Sequence, residues 1–159
     1  MRPATGFVQG IALAEDGGVP ADAAMRAAAD GLYAAGDVAL FPLPGAAEPT
    51  RIEHWRVAQQ HARVAARNMM GGDERYGGVP FFWTYHYGKR FDYLGHATEW
   101  DDVVVDGDTG EHAFVALLVK EGRVVGALGC QRERATAFLS ERMRAPLPAD
   151  EALRLVRSA

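Results

Sequence analysis

Asp37 is the first side chain in the sequence whose position suggests chemistry. It follows the apolar run Gly31-Leu32-Tyr33-Ala34-Ala35-Gly36, whose residues 31–35 we interpret as a short buried strand that ends in a sharp turn. Open α/β sheets bind ligands at the carboxyl ends of their strands, where a carboxylate can accept hydrogen bonds from sugar hydroxyls. The competing interpretation is an ordinary Gly-Asp turn without a ligand. Asp37 is therefore a candidate binding residue.

The thiol and imidazole groups offer few ways to build a metal or redox site. Cys130 is the only cysteine, so the sequence has no disulfide and no CxxC pair, and its apolar surroundings favour a buried structural thiol. The five histidines lack the HExxH spacing of a zincin helix. A small metal site built from His86, His96 and His112 remains an alternative. Any electron chemistry must therefore use a cofactor.

Composition and charge narrow the class of protein. The 159 residues carry a formal net charge of -4 and a pI near 5.7, so no basic stripe is available to neutralise the phosphates of a nucleic acid. The sequence contains no apolar run long enough to span a bilayer and no signal-peptide core. We therefore expect a cytoplasmic protein that binds neither nucleic acid nor membrane.

The strongest helix signal begins at Thr50-Arg51-Ile52-Glu53, which has the form of a capping box. Apolar residues then recur at steps of three and four, and Gly71-Gly72 ends the run. The predicted apolar stripe consists of Ile52, Trp55, Ala58, Ala62, Ala65, Ala66 and Met69. The pattern predicts a helix of roughly five turns that lies close against a sheet.

After Gly77 the sequence becomes rich in strand-forming residues. We predict strands at 79–85, 89–95, 102–105, 113–120 and 123–128, with a hairpin at Tyr87-Gly88 and helices at about 132–144 and 149–157. Strands followed by helices predict an α+β fold, with an antiparallel sheet domain at 77–159. Residues 1–72 are interpreted as the last strand and helix of an incomplete α/β domain.

The order of several motifs resembles a known family. In sequence, the motifs are Arg2-Pro3, the Leu32–Ala39 run, Arg51-Ile52-Glu53-His54-Trp55, Ala65–Met69, Val79–Thr84, Tyr93-Leu94-Gly95-His96-Ala97, Asp106-Gly107-Asp108 and Gly122–Val125. Together they closely resemble the C-terminal part of FAD-dependent pyridine nucleotide-disulfide oxidoreductases, in particular ferredoxin and rubredoxin reductases and apoptosis-inducing-factor-like proteins. The resemblance covers nearly the whole chain.

The resemblance implies roles for five residues in binding FAD. Asp37 would accept hydrogen bonds from the ribityl chain, with the Val38 amide near the pyrophosphate. His54 and Trp55 would bring a backbone amide and the positive end of a helix towards the pyrimidine edge of the flavin, where they stabilise negative charge. Trp83 would stand near the isoalloxazine from the C-terminal domain.

Three of these residues also have an ordinary structural interpretation. Trp55 and Trp83 could be core aromatics, since such rings bury large areas. His54 could be a surface residue at the start of a helix, and Glu53 is already accounted for by the capping box.

The family's other FAD motif is missing, because no GxGxxG sequence is available to hold a dinucleotide pyrophosphate on a helix N-terminus. We therefore expect a portion of an oxidoreductase that passes electrons from NAD(P)H through FAD to a small redox protein such as ferredoxin or rubredoxin. Its partners would be the upstream FAD and NAD(P)H domains of the parent protein. By itself the chain is expected to be inactive and to bind FAD weakly or not at all.

The alternative is a stand-alone interaction or dimerisation module without catalytic activity. On either interpretation, we expect the apolar surface that includes Leu32, Tyr33 and Trp55 to be exposed or covered by a second copy of the chain.

Overall fold

The chain divides into two structural units at Gly78. The computed structural model describes residues 2–46 and 48–159. One unit ends at Gly78 and the other covers Val79–Ala159. Within the described residues, no helix combines the length and apolar character needed to cross a bilayer.

Loops make up most of the first unit. Its described residues include the short parallel strand pair β1 (Val19–Pro20) and β2 (Ala39–Leu40) and a 3-10 turn at Gly36–Val38. The strand predicted at 31–35 is wrong, because its backbone forms only an isolated bridge between Arg26 and Tyr33 instead of a ladder. An apolar run becomes a strand only where a neighbouring segment pairs with several of its residues.

Helix α1 (Trp55–Met69) is the only α-helix among the described residues of this unit. The capping box predicted at Thr50 and Glu53 is wrong: His54 is the N-cap, and its Nδ1 accepts a hydrogen bond from the Arg56 amide at 3.2 Å. Thr50 instead pairs with Phe41 in a β-bridge, which keeps the chain extended there. The predicted end is confirmed, because the helix stops before Gly71, whose φ is +90°.

The buried face of α1 differs from the predicted stripe. Its buried residues are Val57, His61, Val64, Ala65 and Asn68. Trp55 and Met69, which the prediction placed inside, are 57% and 60% exposed. The helix packs its buried face on Met25, Phe41 and Tyr76, which come from the segments before and after it in the sequence. Because alanine occurs on both faces of α1, the sequence pattern does not show which face these segments will cover.

The second unit contains a five-stranded antiparallel sheet. Its strands are β3 (Phe81–His86), β4 (Lys89–Gly95), β5 (Asp102–Asp108), β6 (Ala113–Lys120) and β7 (Arg123–Cys130). They lie in the order β3-β4-β7-β6-β5, so β3 and β5 form the two edges. The predicted antiparallel α+β domain and its hairpin at Tyr87-Gly88 are confirmed.

Two helices, α2 (Glu133–Arg142) and α3 (Ala149–Ser158), follow the sheet. The main core of the unit combines β-strand residues such as Leu94 and Leu117 with Leu139 of α2 and Val156 of α3. A Cβ added at Gly129 would meet the Thr136 side chain, so α2 lies on the sheet face that carries Gly129 and Leu117.

A buried polar group joins α2 to this face of the sheet. Asp92 is 3% exposed and accepts a hydrogen bond from the Thr136 hydroxyl at 2.7 Å. The other Asp92 oxygen accepts a hydrogen bond from Nε of Arg90, also at 2.7 Å. Because both carboxylate oxygens are paired, the buried charge is compensated.

Candidate functional site

The Gly36-Asp37-Val38 turn lies against helix α1. Gly36 has a φ of +79°, a left-handed conformation that favours glycine, and a Cβ added there would lie 3.1 Å from Cβ of Ala58. Asp37 is exposed and Val38 is half-buried. The Asp37 carbonyl accepts a hydrogen bond from Arg51, whereas the side chain lies at the surface. The turn therefore presents Asp37 as an available acceptor beside the helix.

His61 holds this turn from inside the unit. The Gly36 amide donates a hydrogen bond to Nδ1 of His61 at 3.3 Å, so the neutral ring carries its proton on Nε2. The imidazole is fully buried between the rings of Phe41 and Tyr76, whose centroids lie 4.3 and 4.9 Å from its own. Burial lowers the pKa of His61 to about 4.

Arg51 connects the turn to two other segments. Its Nη1 donates hydrogen bonds to the Asp37 carbonyl at 2.8 Å and to Oε1 of Glu53 at 2.9 Å, and its Nε pairs with Oδ2 of Asp16. The Arg51 side chain is 11% exposed, and its guanidinium lowers the pKa of the Asp16 carboxyl. Asp16 also accepts a hydrogen bond from the Gly18 amide. One guanidinium thus fixes the backbone on both sides of the candidate site.

The Arg51→Met substitution is expected to loosen these segments without unfolding the unit. Methionine fills a similar space but donates no hydrogen bond, so amide exchange at Gly18 should become about tenfold faster, the equivalent of one lost hydrogen bond. Hydrogen exchange followed by NMR measures this effect. Arg63→Met, which changes an exposed arginine on α1, is the matched control and should leave Gly18 unchanged. Unchanged exchange at Gly18 in Arg51→Met would contradict the bridging role.

His54 and Trp55 lie at the N-terminus of α1. Burial and the nearby charge of Arg56 lower the pKa of His54, while the Asp37 carboxylate acts in the opposite direction. Gly36 of the neighbouring turn packs against Ala58 in the first turn of this helix. The imidazole and indole rings are 5.8 Å apart, and the indole is 57% exposed. Asp37, Val38, His54 and Trp55 are therefore neighbours within the first unit.

Trp83 belongs to the second unit. It lies on the edge strand β3, opposite Asp92 of β4, and is half-buried. The Arg90 guanidinium lies 4.9 Å from the centre of its ring, and the Phe81 ring is 5.9 Å away. A cation so close to an indole face stabilises the ring's position. Trp83 is thus held by its own unit.

Burial decides the role of Cys130, and the spacing of ligands decides the candidate histidine metal site. Cys130 is fully buried, and burial raises the pKa of its thiol, which confirms the expected structural role. Among the residues at 2–46 and 48–159, no three histidine, cysteine or carboxylate side chains come together as metal ligands. The alternative site from His86, His96 and His112 is therefore wrong.

Sequence reasoning missed the roles of Arg51 and His61. Arg51 pairs with Glu53, two residues away, but its other carboxylate partner, Asp16, lies 35 residues away in the sequence. His61 carried a local signal, since it is a polar residue in register with Val57, Val64 and Ala65 on one helical face.

The two units match two family models in the expected order. Residues 1–62 match the pyridine nucleotide-disulphide oxidoreductase family, and residues 81–153 match the reductase C-terminal family. The fold is similar to that of the crystal structure of Fdr9, with a TM-score of 0.83 and 32% identity over 95% of this chain and 40% of that one.

Two curated relatives are similar to this chain over most of its length. Apoptosis-inducing factor 3 of Mus musculus is 38% identical over 142 residues, covering 87% of this chain and 24% of its own length. The anthranilate 1,2-dioxygenase system ferredoxin-NAD(+) reductase component of Burkholderia cepacia is 33% identical, covering 79% of this chain and 31% of its own length. The first unit matches the pyridine nucleotide-disulphide oxidoreductase family and the second unit matches the reductase C-terminal family, as the C-terminal part of such an oxidoreductase does. The chain spans about a quarter to a third of these relatives.

Proposed function

We propose that this chain forms part of a flavoprotein oxidoreductase that passes electrons from NAD(P)H through FAD to a small iron-sulfur or rubredoxin-type protein. The observation that carries the proposal is the succession of the two family matches, residues 1–62 followed by residues 81–153. The Burkholderia cepacia relative is itself described as a ferredoxin-NAD(+) reductase component. FAD, when bound, would accept hydride and release single electrons.

The residues of the first unit fit such a cofactor chemically. The Asp37 carboxylate is exposed and suits the hydroxyl groups of a ribityl chain, and the Gly36 backbone leaves no side chain in the way. Val38 follows in the same turn, where its amide would lie near the pyrophosphate. His54 and Trp55 would align the positive end of α1 with the pyrimidine edge of the flavin.

Trp83 would act from the second unit. Its indole is held by Arg90 and would shield the flavin ring or line the route by which electrons leave. The electron acceptor and the upstream nucleotide-binding domains would be partners of the parent protein. The chain would thus supply one portion of the electron-transfer protein.

The test uses the protein expressed from the longest reading frame that contains this sequence. We expect a flavin absorption spectrum that NADH or NADPH bleaches in the absence of oxygen. Asp37→Ala should weaken FAD binding by about tenfold or more, because hydrogen bonds to a charged acceptor contribute about 1.5–3 kcal/mol each. FAD content after gel filtration measures the change.

The matched control is Asp30→Ala, which removes another exposed carboxylate from the same unit and should keep FAD. A colourless protein that dimerises regardless of added FAD would contradict the proposal and favour an interaction module. Equal FAD content in both variants would contradict the role of Asp37.

A further inference from the structure

A cavity of about 600 Å³ lies at one end of the sheet in the second unit. The β3–β4 hairpin and the loop between β5 and β6 meet there, because the start of β4, the end of β7 and the start of β6 share one end of the sheet. Nζ of Lys89 donates a hydrogen bond to the Glu111 carbonyl at 3.3 Å, which connects hairpin to loop. A cavity of this size falls within the range of about 300–1,000 Å³ typical of small-molecule sites.

The floor of the cavity is apolar and aromatic. Phe91 and Leu128 line it on the sheet face opposite α2 and α3, and both pack against the small buried cluster formed by Phe114, Ala116 and Cys130. The His86 ring meets the Phe91 ring edge-on, with centroids 5.9 Å apart and an angle of 70° between the ring planes. Such a floor suits a flat hydrophobic group.

The rim of the cavity carries groups that attract an anion. Lys89 contributes an ammonium group, and the imidazoles of His86 and His112 also line the cavity. Within the described residues, no carboxylate lines the cavity. The nearby Asp108 carboxylate instead accepts hydrogen bonds from the Gly110 and Glu111 amides, at 2.7 and 3.0 Å. Lys89 is therefore the charged side chain that lines the cavity.

We propose that this cavity binds a small aromatic carboxylate. The ring would lie on Phe91 and Leu128, and the carboxylate would pair with Lys89 and accept a hydrogen bond from His86 or His112. The residues involved all belong to the second unit and take no part in the proposed flavin site. The inference therefore goes beyond the electron-transfer function and does not depend on it.

The test is a titration of the full chain with 2-naphthoate, followed by amide chemical shifts in NMR. We expect saturable shifts confined to the hairpin, β7 and the β5–β6 loop, and at least threefold weaker binding of the neutral analogue 2-naphthamide. Lys89→Met should weaken naphthoate binding about three- to fivefold, the effect of one partly exposed ion pair, and leave naphthamide unchanged.

Lys120→Met is the matched control, since Lys120 lies in the same unit but pairs with Glu99 at 2.6 Å outside the cavity. It should bind both probes like the wild type. Absence of shifts at the cavity, or equal binding of the acid and the amide, would overturn the proposal. Concentration-dependent broadening of the same amides without a ligand would also overturn it, because a second copy of the chain would then occupy the cavity.

Discussion

The Gly129→Ala variant should unfold about 3 kcal/mol more easily than the wild type. A Cβ atom at Gly129 would lie 2.4 Å from Cγ2 of Thr136, far closer than side-chain carbons approach in folded proteins. Thr136 is 1% exposed, and its hydroxyl donates the hydrogen bond to buried Asp92, so it cannot turn away without loss. Overpacking costs about 1–3 kcal/mol, and a lost bond to a buried charge about 1.5–3 kcal/mol.

A second substitution isolates the packing effect. Thr136→Ser removes Cγ2 and keeps the hydroxyl that pairs with Asp92, so the double variant Gly129→Ala with Thr136→Ser should recover most of the lost stability. Thr136→Ser alone is the control, because it removes Cγ2 from the same site without adding the methyl at Gly129. Urea denaturation, followed by NMR signals of the sheet, gives the free energies. No recovery in the double variant would contradict a clash between these two side chains.

The first unit should lose about 3 kcal/mol of stability between pH 6.5 and pH 4. The pKa of His61 is about 4 in the folded chain, against an ordinary value of 6.5. Between these values the unfolded chain binds a proton that the folded chain excludes, so stability is full above pH 6.5 and falls as the pH drops towards 4. The magnitude follows from the pKa difference.

Among the described contacts of His61, no nearby charge reduces the free-energy cost of protonating its buried ring. The ring is enclosed by Phe41 and Tyr76, and Nε2 has no hydrogen-bond partner within the described residues. Burial also raises the pKa of Tyr76 to about 12, so its hydroxyl stays neutral over this pH range. Protonation of His61 would also remove the acceptor for the Gly36 amide.

The measurement is hydrogen exchange of the α1 amides as a function of pH, after correction for intrinsic exchange, with the sheet amides as the internal reference. His61→Gln keeps an oxygen acceptor for Gly36 but does not titrate, so its protection should stay flat between pH 6.5 and 4. His96→Gln, which changes an exposed imidazole in the other unit, should behave like the wild type. A wild-type profile as flat as that of His61→Gln would contradict the prediction.

The strands of the second unit were predictable because strand patterns depend on residues that are adjacent in the sequence. β4 and β6 occupy the same ranges that alternation and β-branched residues indicated, and Tyr87-Gly88 forms the expected hairpin. The same reasoning failed at residues 31–35. This apolar run pairs with another segment only through one isolated bridge, between Tyr33 and Arg26, and therefore forms no strand.

The sequence alone determined the order of the motifs, the α+β class and the Gly36-Asp37 turn, since glycine at a left-handed position is a local requirement. Only the tertiary structure decided which face of α1 is buried, that His54 caps it, and that His61 and Arg51 hold the turn. These outcomes depend on Asp16, Phe41 and Tyr76, which the chain brings to the helix from distant positions. Which side chains are buried or paired depends on residues from elsewhere in the chain, and the local sequence pattern does not identify those residues.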